Sequence, residues 1–396
     1  MNPSASGWIN KFGHLVQKER LHFPDFESLY QELKNNGFIY GIHLGISDFI
    51  PVQHELTEDE IAKINLLTAL YYTFRFEKGE VEFDLFVNTV FAYYQSLEVG
   101  KISFLNKILA GGHTENQLEK LLDSRIYLGG NAFNRALGNS LTNSLLYVDI
   151  LIFRVYLKGY SPIMEHAQKL EYVIMNIAYQ TLNSKETDEK DAKLMQLLAS
   201  SLTYVDLNNA NFDGTYRDLL CSNFTPEERQ YFLDMACLTI WEDQTLNYTE
   251  SDYIFGLGTD LEKTENEVKL ALENVKDFFE KNRDKVSYLN NKNLASQFYD
   301  GMSKNVSKLI LRNSKRLKKE LAESKELVTL LSKSAVKELS SDEKKKVQNQ
   351  LLDVFKSVPS LAIFMLPGGA VLLPIFIKLI PKLLPSAFDD NRIEEN

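Results

Sequence analysis

Three oxygen-bearing side chains have the spacing of the first half of a calcium loop: Asn209, Asn211 and Asp213, with Gly214 after them. An EF-hand loop takes ligands from its first, third and fifth positions, turns at a glycine in the sixth, and closes on a bidentate glutamate at the twelfth. The twelfth position here is Leu220, whose side chain offers no oxygen. The pattern therefore predicts an Asx turn and not a calcium site.

A second acidic group lies between two predicted helices, with Glu242 and Asp243 before the turn and Glu250 after it. With the following Phe255-Gly-Leu-Gly258, this stretch resembles the helix–acidic turn–helix of tellurite-resistance-B-like domains. In that family the acidic turn can hold a metal ion, which makes the three carboxylates candidate metal ligands. We favour the alternative that they are solvated residues at helix ends.

No other group of residues indicates catalysis. The sequence has no P-loop, HExxH or kinase signature and no Ser-His-Asp arrangement, and its six histidines occur singly. Cys221 and Cys237 form no CxxC, which predicts a reducing compartment. The N-terminus lacks the apolar core of a signal peptide, so we expect no cleaved signal. We predict a non-enzymatic protein without a cofactor.

Charge is distributed unevenly along the chain. The net charge is −10, yet residues 301–358 hold 14 Lys/Arg against 7 Asp/Glu. Residues 359–396 hold 3 against 4, which leaves −16 on residues 1–300. An acidic body argues against DNA as a partner. The basic residues that we predict to contact anionic lipid or RNA are Lys308, Arg312, Lys315, Arg316, Lys318, Lys319, Lys344, Lys345 and Lys346. The alternative is a solvated helix face.

Residues 358–377 form a run of 20 residues without a charge. At about 1.5 Å per residue, a helix of this length spans roughly 30 Å, the thickness of a bilayer core. Pro359, Pro367 and Pro374 divide the run, and a proline removes a helical hydrogen bond. The run is therefore a kinked membrane span, a re-entrant hairpin or a buried hairpin of a soluble protein, and we favour the span.

Helical periodicity dominates the rest of the chain, and no strand alternation competes with it. Thr57, Thr225 and Ser340 begin capping boxes, which predict helix starts. The fold class is all-α: a multi-helix soluble body, a basic helix and a Pro-kinked C-terminal membrane segment. We divide the chain into an acidic body (1–290, with a possible subdivision near 185–225), a basic neck (291–346), a segment containing the run (347–390) and a tail (391–396).

The C-terminal segment resembles a known family. Its motif combines Leu339-Ser-Ser-Asp-Glu-Lys-Lys-Lys with Pro359, Pro367, Leu372, Leu373, Pro374, Lys378, Pro381, Leu384, Pro385, Ser386 and Phe388. These residues resemble the membrane segment of the leucine-zipper/EF-hand transmembrane (LETM) family. The family is associated with cation/proton exchange and with membrane attachment of ribosomes. The long body looks like that of bacterial relatives described as biofilm-associated.

Two departures from the family limit what the resemblance implies. Ala370 stands where the family usually has an acidic residue in the membrane segment, which weakens the implied ion exchange. The sequence ends at Asn396, so we expect most of the family's helical ribosome-binding domain to be missing.

From these features we predict a membrane-associated accessory or scaffold protein linked to biofilm or the cell envelope. Cation/proton homeostasis and ribosome binding are the alternatives. The expected location is a bacterial inner membrane with the body facing the cytoplasm. The expected partners are membrane lipid, a ribosome or membrane protein, and a second copy of the chain.

Overall fold

A computed structural model describes residues 1–18, 22–79, 82–97, 114–126, 146–184, 195–196, 198, 215–241, 248–283, 285, 303, 306–337, 339–358, 361, 364 and 372–389. Within these residues the regular structure is helical and no strand occurs, which confirms the all-α class. The helices are α1 (Trp8–Lys18), α2 (Phe26–Asn35), α3 (Glu58–Lys78), α4 (Phe83–Ser96), α5 (Glu115–Ile126), α6 (Leu146–Leu157), α7 (Ile163–Asn183), α8 (Arg217–Asn223), α9 (Pro226–Ile240), α10 (Tyr248–Asp260), α11 (Glu265–Lys281), α12 (Ser314–Glu323), α13 (Lys325–Val336), α14 (Ser341–Ser357), α15 (Leu373–Leu383) and α16 (Ser386–Asp389).

Capping boxes fix the starts of four long helices. Thr57, Thr225 and Ser340 cap α3, α9 and α14 as the sequence predicts. In each box the hydroxyl accepts from the backbone of the third helical residue, whose carboxylate returns a contact to the cap. A fourth box, at Thr264, starts α11 at Glu265. The sequence pattern predicts a helix over residues 260–279, and its start is wrong, because this cap separates α10 from α11.

Two helices organise the packing of the body, α1–α11. The apolar α6 packs against α3 and α7, and α9 packs against α7, α10 and α11. Nearly every residue of α6 is buried, as expected for a core helix with Asp149 and Arg154 in it. Burial of these apolar faces is the main source of stability for the body.

Buried ion pairs cross-link the body helices. Arg125 of α5 donates to Asp149 of α6 through Nε at 2.7 Å and through a terminal nitrogen at 3.1 Å. The Tyr94 hydroxyl donates to the same carboxylate at 2.8 Å. Burial, with Asp149 beside it, raises the pKa of Tyr94, so this donor keeps its proton. In the same way Lys34 of α2 pairs with Asp234 of α9 at 2.6 Å.

The C-terminal helices make their extensive contacts with one another. We call residues 306–389 the C-terminal unit; within it α13 contacts α12, α14, α15 and α16. The sequence pattern also predicts one long helix over residues 293–332. This prediction is wrong in its described part, because the chain breaks at Asn313 and again at Ser324. The boundary drawn at 346/347 falls inside α14, and the division into domains stays a prediction.

Removing one partner of a buried pair gives a direct test of the body. We expect Arg125→Met to lower the free energy of unfolding by about 3–5 kcal/mol, because Asp149 is left charged and buried. As the control, Lys169→Met removes a partly exposed pair with Glu165 and is expected to cost about 1 kcal/mol or less. Urea unfolding followed by circular dichroism measures both. Equal losses in the two variants would contradict a special role for the buried pair.

Candidate functional site

The helix α13 is the centre of the C-terminal unit. Its side chains Leu327, Val328 and Leu331 are almost completely buried. Helix α12 contributes the buried residues Leu317 and Leu321, and α14 contributes Val347 and Leu351. These residues recur at intervals of three or four, so each helix turns one apolar face inward. The charged residues of the same helices consequently lie on the outside of the unit.

The described residues of the uncharged run are also part of this core. Leu361, Phe364, Ile375, Phe376 and Ile377 are buried. The rings of Phe355, Phe364 and Phe376 form a cluster with centroid separations of 4.7, 5.1 and 5.0 Å. Helix α15 has 11 residues and packs on α13. Among the described residues no helix has the combined length and apolar character of a membrane span.

The family motif divides between this core and the surface. Leu372, Leu373, Leu384 and Phe388 are buried, and Pro374 and Pro381 are partly buried. Pro374 lies in the first turn of α15, where a proline starts a helix without losing a hydrogen bond, and Pro381 lies inside α15. Lys378, Pro385 and Ser386 are exposed. Pro359 and Pro367 lie outside the described residues.

Polar contacts join α13 to the start of α14. Lys333 of α13 pairs with Glu343, the carboxylate of the Ser340 capping box. A second contact joins the same two helices: Glu326 of α13 accepts from Lys346 of α14 at 3.1 Å and from Gln350 of α14 at 2.7 Å. The contact with Lys333 and the hydrogen bond from the Ser340 backbone lower the pKa of Glu343 to about 2. Lys346, which the sequence analysis predicted to contact lipid or RNA, is thus paired with a carboxylate of the unit itself.

A group of cations on and before α12 has a different environment. We call Lys308, Arg312, Lys315, Arg316, Lys318 and Lys319 the α12 stripe. At 100° per residue, Lys315, Arg316, Lys318 and Lys319 fall on one side of α12, opposite Leu317 and Leu321, whereas Lys308 and Arg312 precede the break at Asn313. All are exposed except Lys308, which is half-buried. Within the described residues, no acidic side chain pairs with Lys308, Lys315, Arg316, Lys318 or Lys319.

Three further lysines near the C-terminus lack an ionic partner. Lys345 of α14 and Lys378 and Lys382 of α15 are exposed, and no carboxylate among the described residues pairs with them. We call these three residues the C-terminal lysines. Their neighbours Lys344 and Lys346 each have an intramolecular interaction. The unit therefore offers a polyanion two groups of cations, the α12 stripe and the C-terminal lysines.

The proposed metal ligands are largely outside the described part of the chain. Glu250 lies in the first turn of α10, where a carboxylate interacts favourably with the positive end of the helix dipole. Glu242 and Asp243 are outside the residues that the structure describes. The described residues contain no group of three His, Cys, Asp or Glu side chains that could hold a metal ion. The calcium-like stretch 209–214 is also outside them.

The polar groups that the sequence analysis did not pair lie in the body core. Asp234, whose carboxylate also accepts from the Tyr30 hydroxyl at 2.6 Å, and the His166–Glu228 pair at 2.6 Å are examples. Burial lowers the pKa of His43 to about 3, so this histidine is neutral in the core. The Asp234 and His166–Glu228 contacts join helices of the body core. In the sequence, such a buried polar group is marked only by a single charged residue within an apolar stretch.

Comparison with known proteins locates one family. Residues 339–396 match the family model described as LETM1-like, RBD, the ribosome-binding domain. The matched segment contains α14, α15 and α16 together with the uncharged run, and it bears out the resemblance seen in the sequence. The body and the α12 stripe lie outside it. No curated protein and no solved structure matches the chain.

The contact between Glu343 and Lys333 predicts a pH dependence. The folded-state pKa of Glu343 is depressed, so its stabilising contribution is present above the ordinary range near 4.5 and is lost as the pH falls through about 2. Glu343→Gln keeps the capping hydrogen bonds but removes the charge. We expect the variant to unfold at a lower urea concentration than the native chain at pH 7, and the difference to vanish towards pH 2.

The matched control for this prediction is Glu280→Gln, which removes the charge of an exposed pair with Lys276 inside α11. Because that pair joins no two helices, its loss should shift the urea midpoint less at pH 7. A shift for Glu343→Gln that persists at pH 2 would show that the charge is not the cause.

Proposed function

We propose that the C-terminal unit is a ribosome-binding module and that the protein is a non-enzymatic adaptor, which connects its acidic helical body to the ribosome. The observation that carries this proposal is the match of residues 339–396 to a LETM1-like ribosome-binding domain.

The charge distribution supports the proposal. Ribosomal RNA is a polyanion, and a protein binds it by replacing condensed counterions with Lys and Arg side chains. The C-terminal lysines Lys345, Lys378 and Lys382 lie within the matched segment and are exposed. Residues 1–300 carry a charge of −16, which repels RNA. The body is therefore held away from the RNA surface and stays accessible to other partners.

Sedimentation with purified ribosomes tests the proposal. We expect the full chain to pellet with ribosomes in low salt and to be released as the salt concentration rises. Replacing Lys345, Lys378 and Lys382 with Gln should weaken the association roughly tenfold or more at 0.15 M salt and reduce the slope of log K against log salt by about 2–3.

The matched control is the replacement of Lys269, Lys276 and Lys281 with Gln on α11. It changes the net charge of the chain by the same amount, but these lysines already pair with acidic residues of their own helix. We expect ribosome association of this control to equal that of the native chain. Absence of pelleting, or identical loss in both variants, would refute a ribosome-binding surface on the C-terminal unit.

A membrane-associated role as an accessory or scaffold protein is the second candidate. The 20 uncharged residues of the run support this role. It would include location at a bacterial inner membrane, contact with lipid and a part in cation/proton homeostasis. The exchange function has the weaker support, because Ala370 replaces the intramembrane carboxylate of the family. Against insertion stands the burial of Phe364, Phe376 and their neighbours in the C-terminal unit.

Alkaline-carbonate extraction of membranes distinguishes the two candidates. If the run stays in the core of the C-terminal unit, the full chain is extracted into the supernatant, and this is the result we expect. Retention in the pellet would mean that the run leaves that core and inserts into lipid, which would favour the membrane role. Phe376→Ala serves as a control. It removes a ring from the core of the C-terminal unit, and it should not increase the extraction of a chain whose run is inserted in lipid.

A further inference from the structure

The α12 stripe lies N-terminal to the segment that matches the ribosome-binding domain, and the match assigns it no role. We propose that the α12 stripe binds the phosphate backbone of double-helical RNA, adding a second contact to the C-terminal lysines. The inference rests on the proposed function, since it names the ligand chemistry of the same unit.

The four cations of the stripe that lie in α12 repel one another, and no acidic side chain among the described residues pairs with them. Lys315 lies one helical turn from both Lys318 and Lys319, and Arg316 lies one turn from Lys319. Like charges one turn apart on a helix surface destabilise the helix. Glu323 follows Lys319 by one turn but forms no ion pair with it. A polyanion laid along the stripe would remove this cost.

Helix α11 of the same chain shows the alternative arrangement. There Lys269, Lys276 and Lys281 each have an acidic partner four residues away, namely Glu265, Glu280 and Asp277. A charged helix face that serves only solubility can be built in this neutral form. The α12 stripe instead keeps one sign of charge over the 12 residues from Lys308 to Lys319, on the two helical stretches that meet at Asn313. Unpaired like charges on a helix surface lower its stability, and a helix that keeps them without an intramolecular gain indicates a binding site.

The residues of the stripe favour RNA backbone over the two other polyanionic ligands. A helix that lies on a lipid surface inserts its apolar face, but Leu317 and Leu321 are fully buried against the unit. Leu311, 53% exposed, is the one large apolar side chain beside the stripe that is left to solvent among the described residues. Single-stranded nucleic acid is held by stacking on aromatic rings, and residues 306–323 contain none. Double-helical RNA, in contrast, is recognised by shape and by phosphate contacts.

Binding of the full-length chain to a short RNA duplex of mixed sequence tests the inference. The test variant carries Lys315→Gln, Arg316→Gln, Lys318→Gln and Lys319→Gln. Four lost phosphate contacts should weaken duplex binding about a hundredfold near 0.15 M salt and reduce the salt slope by about 3–4. Because repulsion is removed, the variant should unfold at the same urea concentration as the native chain or a higher one, which separates lost binding from lost structure.

A charge-preserving variant completes the design. Lys315→Arg, Lys318→Arg and Lys319→Arg keep three cations at the same places, so duplex binding should be retained. Native-like duplex binding by the Gln variant overturns the inference. So does native-chain binding to vesicles containing anionic lipid without binding to the duplex, since the stripe would then serve a membrane.

The outcome for the proposed function is read separately. If the native chain pellets with ribosomes and the Gln variant on α12 does so equally, the ribosome proposal stands and the stripe has no part in it. If neither protein pellets with ribosomes while the duplex is bound through the stripe, the ribosome proposal fails and the RNA contact stands.

Discussion

Burial of apolar side chains against α13 is the constraint on which the C-terminal unit depends. Helices α12, α14, α15 and α16 all contact it, and its own leucines are almost fully buried. Each fully buried leucine or phenylalanine contributes roughly 1.5–3 kcal/mol. Once Leu317 and Leu321 are used in this way, the rotation of α12 is fixed and its cations must point to solvent. The basic surface is thus a consequence of the core.

The same constraint decides the place of the described residues of the uncharged run. Phe364 and Phe376 pack with Phe355 of α14, so the run contributes to a protein core built from several helices. A short α15 that begins at Leu373 with Pro374 in its first turn suits this packing. The segment that matches the ribosome-binding domain is therefore also the segment that supplies much of the core of the unit.

The body and the C-terminal unit treat charge in opposite ways. In the body, charges that enter the core are paired: Arg125 with Asp149, and Lys34 with Asp234. Three lysines on the surface of α11, Lys269, Lys276 and Lys281, are paired as well. The C-terminal lysines and the α12 stripe apart from Arg312 keep charges of one sign without acidic partners in the described part of the chain. This contrast, and not the net charge of the protein, is what marks the C-terminal unit as the place where a polyanion would bind.

The sequence by itself determined the helical class and several helix starts, because a capping box such as Thr57 with Glu60 is a local interaction. It also determined the acidic and basic parts and the motif of the C-terminal segment. Only the tertiary structure decided the rest. Lipid and a protein interior are both apolar, so composition alone could not place residues 358–377. Whether a lysine is free depends on a carboxylate brought near by packing, as Glu326 is to Lys346 but not to Lys345.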